Sequence, residues 1–85
     1  MNKKELDECV KLAGKHEKLY NSTGFISISF ILGTNITCVH LEYEEFLKTF
    51  PKYIKGSWDD TKIELTAEYG GRTFFCLKDK VQDEI

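Results

Sequence analysis

Few side chains in this sequence have the chemistry of a catalytic or metal site, and they are widely separated. The soft metal ligands are three cysteines and two histidines: Cys9, His16, Cys38, His40 and Cys76. Structural zinc sites use closely spaced pairs such as C-x2-C or H-x3-H, and no such pair occurs. Cys38 and Cys76 lie within apolar segments, where a thiol is a core residue rather than a nucleophile activated by a neighbouring base. We therefore predict no metal, no cofactor and three reduced, buried cysteines.

Acidic pairs are the remaining candidates for catalysis. Glu44 and Glu45 fall at the predicted start of a helix, and Asp59 and Asp60 fall in a predicted loop. Acids in such positions are usually solvated, whereas an acid–base pair needs pKa values tuned by burial or by charged neighbours. The pair of adjacent glycines is not followed by the lysine of a phosphate-binding loop. The sequence therefore predicts a protein that is not an enzyme.

The length and charge of the chain further restrict the class of protein that it can be. The chain has 85 residues, the size of one small domain, and its 41% hydrophobic and 31% charged residues are typical of a globular protein. Twelve basic residues against fourteen acidic ones give a net charge of −2. Arg72 is the only arginine, and arginine is the side chain best suited to phosphates and guanine edges. We therefore predict a single domain over residues 1–85 for which nucleic acid is a disfavoured partner.

No segment has the pattern of a secretory signal or a membrane span. Residues 1–20 are charged throughout, and the longest apolar-rich run, residues 25–32, is too short to cross a bilayer. We expect a cytoplasmic protein of a bacterial host, without a membrane partner.

Hydrophobic periodicity predicts two helices. The first covers residues 2–20, with a stripe of apolar side chains at helical spacing and a capping box formed by Asn2 and Glu5. The second covers residues 42–50 and ends before Pro51, which disfavours helical geometry at Phe50. Both helices have one apolar face, so each is expected to pack against a sheet.

Four strands are predicted, at residues 25–32, 36–41, 61–69 and 72–78. Turn sequences at residues 33–35 and at Gly70-Gly71 join them into two hairpins. Residues 52–60 are predicted to be a loop, and residues 79–85 a short charged end that frays. The order is α-β-β-α-β-β, and the predicted fold is α+β, with the two hairpins forming an antiparallel sheet packed by two helices.

The acidic middle of the chain is the candidate binding surface. Trp58 lies in the predicted loop beside Asp59 and Asp60, and Glu64 and Glu68 are expected to point outward from the next strand. Loop tryptophans are frequent interface anchors, although a lid over the end of the core is an equal alternative. Such a surface fits a partner protein whose groove is lined by lysine and arginine, with carboxylates in place of phosphates. The predicted partner-binding residues are Trp58, Asp59, Asp60, Glu64, Glu68, Glu42 and Glu45.

The chain is a single domain that is rich in lysine and isoleucine and has one arginine. In this overall character it resembles small accessory proteins of AT-rich bacteria and their phages. Many such proteins, anti-CRISPR proteins among them, act by binding a host protein. The resemblance implies a non-enzymatic protein-binding module, in particular a phage- or mobile-element-encoded inhibitor of a host nucleic-acid-processing machine. Apolar side chains on both faces of the predicted strands leave two alternatives open. One is a structural or regulatory homodimer, and the other is a single-stranded nucleic-acid binder that uses aromatic residues of the sheet.

Overall fold

The computed structural model describes residues 1–30 and 37–80 of the chain. Within these ranges lie two helices and five strands: α1 (Lys3–Ser22), β1 (Phe25–Phe30), β2 (Thr37–Leu41), α2 (Tyr43–Thr49), β3 (Ile54–Ser57), β4 (Lys62–Tyr69) and β5 (Arg72–Asp79). The predicted α+β class is confirmed. The predicted turn at residues 33–35 and the predicted end segment beyond residue 80 lie outside the described residues, whereas Asp79 is the last residue of β5.

α1 begins with the predicted capping box. Asn2 Oδ1 accepts a hydrogen bond from the Glu5 N–H at 2.8 Å, and the Asn2 N–H donates to Glu5 Oε1 at 2.9 Å. At the other end, the Thr23 N–H donates to the Leu19 carbonyl at 2.9 Å. These bonds satisfy backbone groups that a helix leaves without intrahelical partners at its termini.

The five strands form one mixed sheet in the order β1-β2-β5-β4-β3. The pairs β1–β2, β3–β4 and β4–β5 are antiparallel, whereas β2 and β5 are parallel, with His40 opposite Phe75. The prediction of a wholly antiparallel sheet is therefore wrong at the β2–β5 pair. Between these two strands the chain passes through α2 and two further strands, and a parallel pair requires such a long crossover connection.

β3 lies in the segment 52–60, which the sequence pattern predicts to be a loop. The strand has four residues, forms an edge of the sheet and pairs with β4, and none of its residues is buried. It contains Lys55 and Gly56, and it is too short to show an alternating pattern. The loop prediction is wrong here because pairing with β4, rather than local propensity, makes the segment a strand.

β4 and β5 form a hairpin that is paired along all eight residues of each strand. Gly70 and Gly71 make the two-residue turn between them, with φ of +59° and +74°. Positive φ at both central residues defines the type I′ turn that fits the twist of a hairpin, and glycine adopts it without strain. The predicted Gly-Gly hairpin turn is confirmed.

One face of the sheet, called the covered face, packs against α2. Phe46 of α2 and Cys76 of β5 are both fully buried, at 0% exposure. Phe50 packs on Phe74 with ring centroids 5.3 Å apart. The other buried residues of this core are Phe25, Val39, Leu41, Ile63 and Leu65. The core therefore lies between α2 and the central strands.

α1 does not pack over the sheet. None of its residues is buried, and it contacts edge strand β1, where the His16 ring meets Phe25 edge-on with centroids 5.2 Å apart. Leu6 and Val10 of its apolar stripe are 52% and 72% exposed. The prediction that both helices pack on the sheet is therefore wrong for α1. Only two residues join α1 to the edge strand, so its last turns touch the sheet and its first turns extend beyond it.

Candidate functional site

The face of the sheet opposite α2 is called the open face. Its central strands present alternate residues there: Cys38, His40, Glu64, Thr66, Glu68, Thr73, Phe75 and Leu77. Each of these side chains is half-buried or exposed. Since α2 contacts β5 from the covered face and α1 contacts β1, no helix of the described ranges lies over the middle of the open face. A ligand can therefore reach the middle of this face.

Three aromatic rings form a row across the open face. The His40 and Phe75 rings stack with centroids 4.5 Å apart and planes 10° apart, as their paired positions on β2 and β5 require. The Trp58 indole stacks on the other side of Phe75, with centroids 6.1 Å apart and planes 7° apart. Trp58 is nevertheless 52% exposed. The row therefore ends in an indole that is held in place yet largely open to solvent.

The turn after β3 holds Trp58 in position. The backbone N–H of Trp58 donates a hydrogen bond to the Lys62 carbonyl at 3.0 Å. Asp59 Oδ1 accepts hydrogen bonds from the Thr61 N–H at 2.7 Å, the Thr61 hydroxyl at 2.9 Å and the Lys62 N–H at 2.9 Å. The backbone bond from Thr61, followed by the hydroxyl bond, lowers the pKa of the Asp59 carboxyl below its usual value. The Asp59 carboxylate is therefore occupied by hydrogen bonds within the turn, whereas sequence reasoning placed it on the binding surface.

Two of the predicted acids, Glu64 and Glu68, do lie on the open face. Glu64 is half-buried near the ring row, and Glu68 is exposed and accepts a hydrogen bond from the Thr73 hydroxyl at 2.8 Å. Asp60 is exposed in the turn, but β4 and its alternation begin only at Lys62, so Asp60 does not continue their row. The carboxylates of the open face are thus fewer than the sequence pattern indicates.

The last two predicted acids, Glu42 and Glu45, lie on the other side of the sheet. Both belong to the start of α2, where the Glu42 N–H donates to the Gly24 carbonyl at 2.7 Å. Glu45 pairs with Lys48 at 3.1 Å. The structure therefore divides the predicted residues between the two faces. Trp58, Glu64 and Glu68 lie on the open face, with Trp58 and Glu64 in the lining of one groove, and Glu42 and Glu45 lie on the side of α2.

A groove of about 380 Å³ crosses the open face beside Trp58. Its lining comes from all five strands or the residues that adjoin them: Ser29, Cys38, Trp58, Glu64, Thr66, Thr73 and Phe75. Rings and methyl groups supply its apolar surface, and hydroxyls and one carboxylate supply its polar atoms. Such a mixture is typical of a binding surface that orients its ligand by a few polar contacts.

Sequence reasoning missed most of the groove lining. It named Trp58 and Glu64 as binding residues, but it assigned Cys38 to the core and gave Ser29, Thr66 and Thr73 no role. Alternation along β2, β4 and β5 places Cys38, Thr66 and Thr73 on one face, and the missing information was the parallel pairing that brings β2 and β5 together. Burial of the His40 ring lowers its pKa below the usual value, because burial disfavours the charged imidazolium.

The three cysteines lie in different environments. Cys76 is fully buried in the core, and burial raises the pKa of its thiol to about 11. Cys38 is half-buried and Cys9 is exposed on α1. The prediction that all three cysteines are buried is therefore wrong for Cys9, because α1 does not pack on the sheet.

Among residues 1–30 and 37–80, no three His, Cys, Asp or Glu side chains cluster closely enough to hold a metal ion. In the same ranges, neither helix combines the length and apolarity needed to cross a bilayer.

The chain was compared with known families, proteins and structures. No family model matches it, and no curated protein or solved structure does so either.

Proposed function

We propose that the protein is a small, non-enzymatic protein-binding module and that its open face binds the partner. The observation that carries the proposal is the half-exposed Trp58 indole beside the 380 Å³ groove. The indole rests on Phe75, and the Asp59 turn fixes the backbone on which it stands. A side chain that is already ordered loses little conformational freedom on binding, so more of its contact energy contributes to affinity.

The exposed part of Trp58 is large enough to act as an anchor. A tryptophan offers roughly 250 Å² for burial, so a side chain that is 52% exposed leaves about 130 Å² to a partner. At about 25 cal/mol per Å², covering this area contributes about 3 kcal/mol, or about 100-fold in affinity. This magnitude is that of an interface hot spot.

The side chains around the indole suggest the chemistry of the partner. Glu64 and Glu68 supply carboxylates on the same face as the rings. Lysine and arginine side chains pair with carboxylates and also stack on indole faces, so one partner segment with basic residues can use both features. We therefore propose that the partner presents lysine or arginine to the groove.

The narrower hypothesis, an inhibitor of a host nucleic-acid-processing machine encoded by a phage or mobile element, uses the same chemistry. Such machines have basic grooves, and carboxylates of the open face would occupy positions that phosphates otherwise take. The cytoplasm of a bacterial host, where such a machine resides, is part of this proposal.

Fluorescence of Trp58 tests the proposal, because it is the only tryptophan of the chain and lies at the proposed site. The protein is titrated with a peptide rich in arginine and lysine and, separately, with single-stranded oligothymidylate at physiological salt. We expect a saturable change in indole emission with the peptide that weakens as salt rises, and no change with the oligonucleotide.

A matched pair of variants separates a specific site from general attraction. Glu64→Lys with Glu68→Lys reverses two charges on the open face, and Glu42→Lys with Glu44→Lys makes the same change at the start of α2. We expect only the first variant to lose the response to the peptide. An equal loss in both variants, or a flat peptide titration with the wild type, would reject a basic partner at the open face. Sub-micromolar binding of the oligonucleotide would instead support the single-stranded nucleic-acid alternative.

A further inference from the structure

α1 presents an apolar surface that nothing in the described ranges covers. It has 20 residues, none of them buried, and it extends for about 30 Å at 1.5 Å per residue. Leu6, Val10 and Tyr20, which share one side of the helix, are 52%, 72% and 61% exposed. A helix whose apolar side remains in water derives no stability from packing, although packing supplies most of the stability of helices in proteins.

The accessible surface area of the chain is larger than that of a compact monomer of the same mass, as expected if a large contact is missing. The accessible area is 6780 Å², whereas a compact monomer of this mass, 9.9 kDa, exposes about 5,200 Å². The difference, about 1,600 Å², is about twice the 800 Å² that each partner contributes to a standard interface. One chain therefore exposes enough additional surface to form a stable dimer.

β1, the edge strand next to α1, is the less protected edge of the sheet, and its register is irregular only between Phe25 and Ser27. Its six residues, FISISF, include no charged side chain, and Ile28 and Phe30 are 41% and 69% exposed. The other edge strand, β3, has only four residues and includes Lys55 and Gly56. Short length and lysine are features that protect edge strands against pairing, and β1 has neither.

The charges of α1 leave its apolar stripe free to meet a second copy. At 100° per residue, Lys4, Lys11 and Lys15 lie about 120–160° round the helix axis from the midpoint of Leu6 and Val10. Two stripes related by a twofold axis can therefore pack on each other without bringing these lysines together.

We infer that α1 and β1 form the interface of a homodimer, with α1 packed on its counterpart and β1 paired with its counterpart across the twofold axis. β1 contributes Ser29 to the lining of the groove, whereas no residue of α1 lines it. The α1 variants therefore test the dimer without changing the proposed binding site.

Sedimentation equilibrium of the full chain at high micromolar concentration tests the inference. We expect a species of twice the 9.9 kDa chain mass. Leu6→Gln with Val10→Gln removes two apolar side chains from the stripe, and glutamine is as good a helix former as leucine and better than valine. This double variant should weaken the dimer at least about 100-fold. Lys4→Gln with Lys11→Gln, on the polar side of α1, should leave the dimer intact.

A second variant tests the contribution of the strand. Phe30→Lys places a charge on the β1 edge and should also give a monomer, with an unchanged circular dichroism spectrum showing that the fold persists. The inference is overturned if the wild type sediments as a monomer, or if the two α1 variants dimerise equally. If Phe30→Lys dimerises like the wild type, β1 is not part of the interface and the strand-pairing geometry is wrong.

Discussion

Replacing Gly24 with alanine should loosen the junction between β1 and α2. Gly24 is buried, and a Cβ at this position would lie 2.2 Å from the Glu45 Cβ and 2.7 Å from its Cγ. Non-bonded carbon atoms in ordinary contact stay about 3.5–4.0 Å apart, so α2 would have to move by more than about 1 Å. The Gly24 carbonyl also accepts the 2.7 Å hydrogen bond from Glu42, which such a movement would strain or break.

The magnitude follows from what the added methyl group meets. Overpacking a core position costs about 1–3 kcal/mol, and the clash here is with a Cβ, which a change of rotamer does not displace. We therefore expect Gly24→Ala to lower the free energy of unfolding by about 2–3 kcal/mol. For a domain of this length, the corresponding fall in Tm is on the order of 10 °C. Thermal and urea unfolding, followed by circular dichroism and by Trp58 fluorescence, measure the change.

Gly14 provides the matched control. It lies within α1, and a Cβ there would meet no atom within 4 Å. Gly14→Ala should therefore stabilise α1 by up to about 1 kcal/mol, seen as higher helicity. Glu45→Gly removes the clashing atoms, so the double variant Gly24→Ala, Glu45→Gly should lose less stability than the sum of the single changes. A neutral Gly24→Ala, or additive effects in that cycle, would refute the close packing of β1 on α2.

Three further predictions concern thiols, pH and the core. At pH 8 and a low micromolar protein concentration, a thiol reagent should modify Cys9 within the mixing time of the assay, Cys38 more slowly and Cys76 only on unfolding. The pKa of the Cys76 thiol is about 11 instead of 9.0, so its thiolate fraction is about one hundredth of the usual one. Because the pKa of His40 is lowered in the folded protein, the unfolded chain binds a proton at this residue more tightly than the folded protein does. The contribution of His40 to the free energy of unfolding is therefore present above about pH 6.5 and falls as the pH drops below that value. Urea unfolding at pH 7 and pH 5.5 should show this loss, and His40→Gln should reduce it. Phe46→Ala, at 0% exposure, should lower the free energy of unfolding by about 3–5 kcal/mol in the same urea assay.

A specific result would contradict each of these three predictions. Fast labelling of Cys76 in the native protein would place β5 in a more open core. An equal loss of stability at low pH in wild type and His40→Gln would assign the effect to other groups. A cost for Phe46→Ala as small as that for Leu47→Ala, at a position 36% exposed, would show that α2 does not close the core.

Local signals in the sequence predicted most of the elements. The capping box at Asn2 and Glu5, the end of α2 before Pro51 and the Gly70-Gly71 turn are set by neighbouring residues, and the structure has all of them. What could not be predicted depends on distant partners. β3 is a strand because β4 pairs with it, and the parallel β2–β5 pair depends on the path of the whole chain between them.

The candidate site shows the same division. Alternation along β4 correctly placed Glu64 and Glu68 on one face, opposite the buried Leu65. Proximity in sequence wrongly suggested that Glu42 belongs with them, because only the tertiary fold puts α2 on the covered face. The apolar stripe of α1 was recognised as a packing surface, but sequence periodicity does not say whether the surface that covers it belongs to the same chain.

Binding of a partner at Trp58 is the central claim, and comparative capture followed by an affinity measurement tests it most directly. Wild type, Trp58→Ala and Tyr69→Ala are used as baits in a lysate of cells that express the protein, and the partner is identified by quantitative mass spectrometry. Tyr69 is a matched control, since it is 71% exposed but paired with the covered-face positions of the hairpin. We predict that the purified partner binds wild type and Tyr69→Ala alike and Trp58→Ala about 100-fold more weakly. Equal affinity of wild type and Trp58→Ala for that partner would contradict the claim.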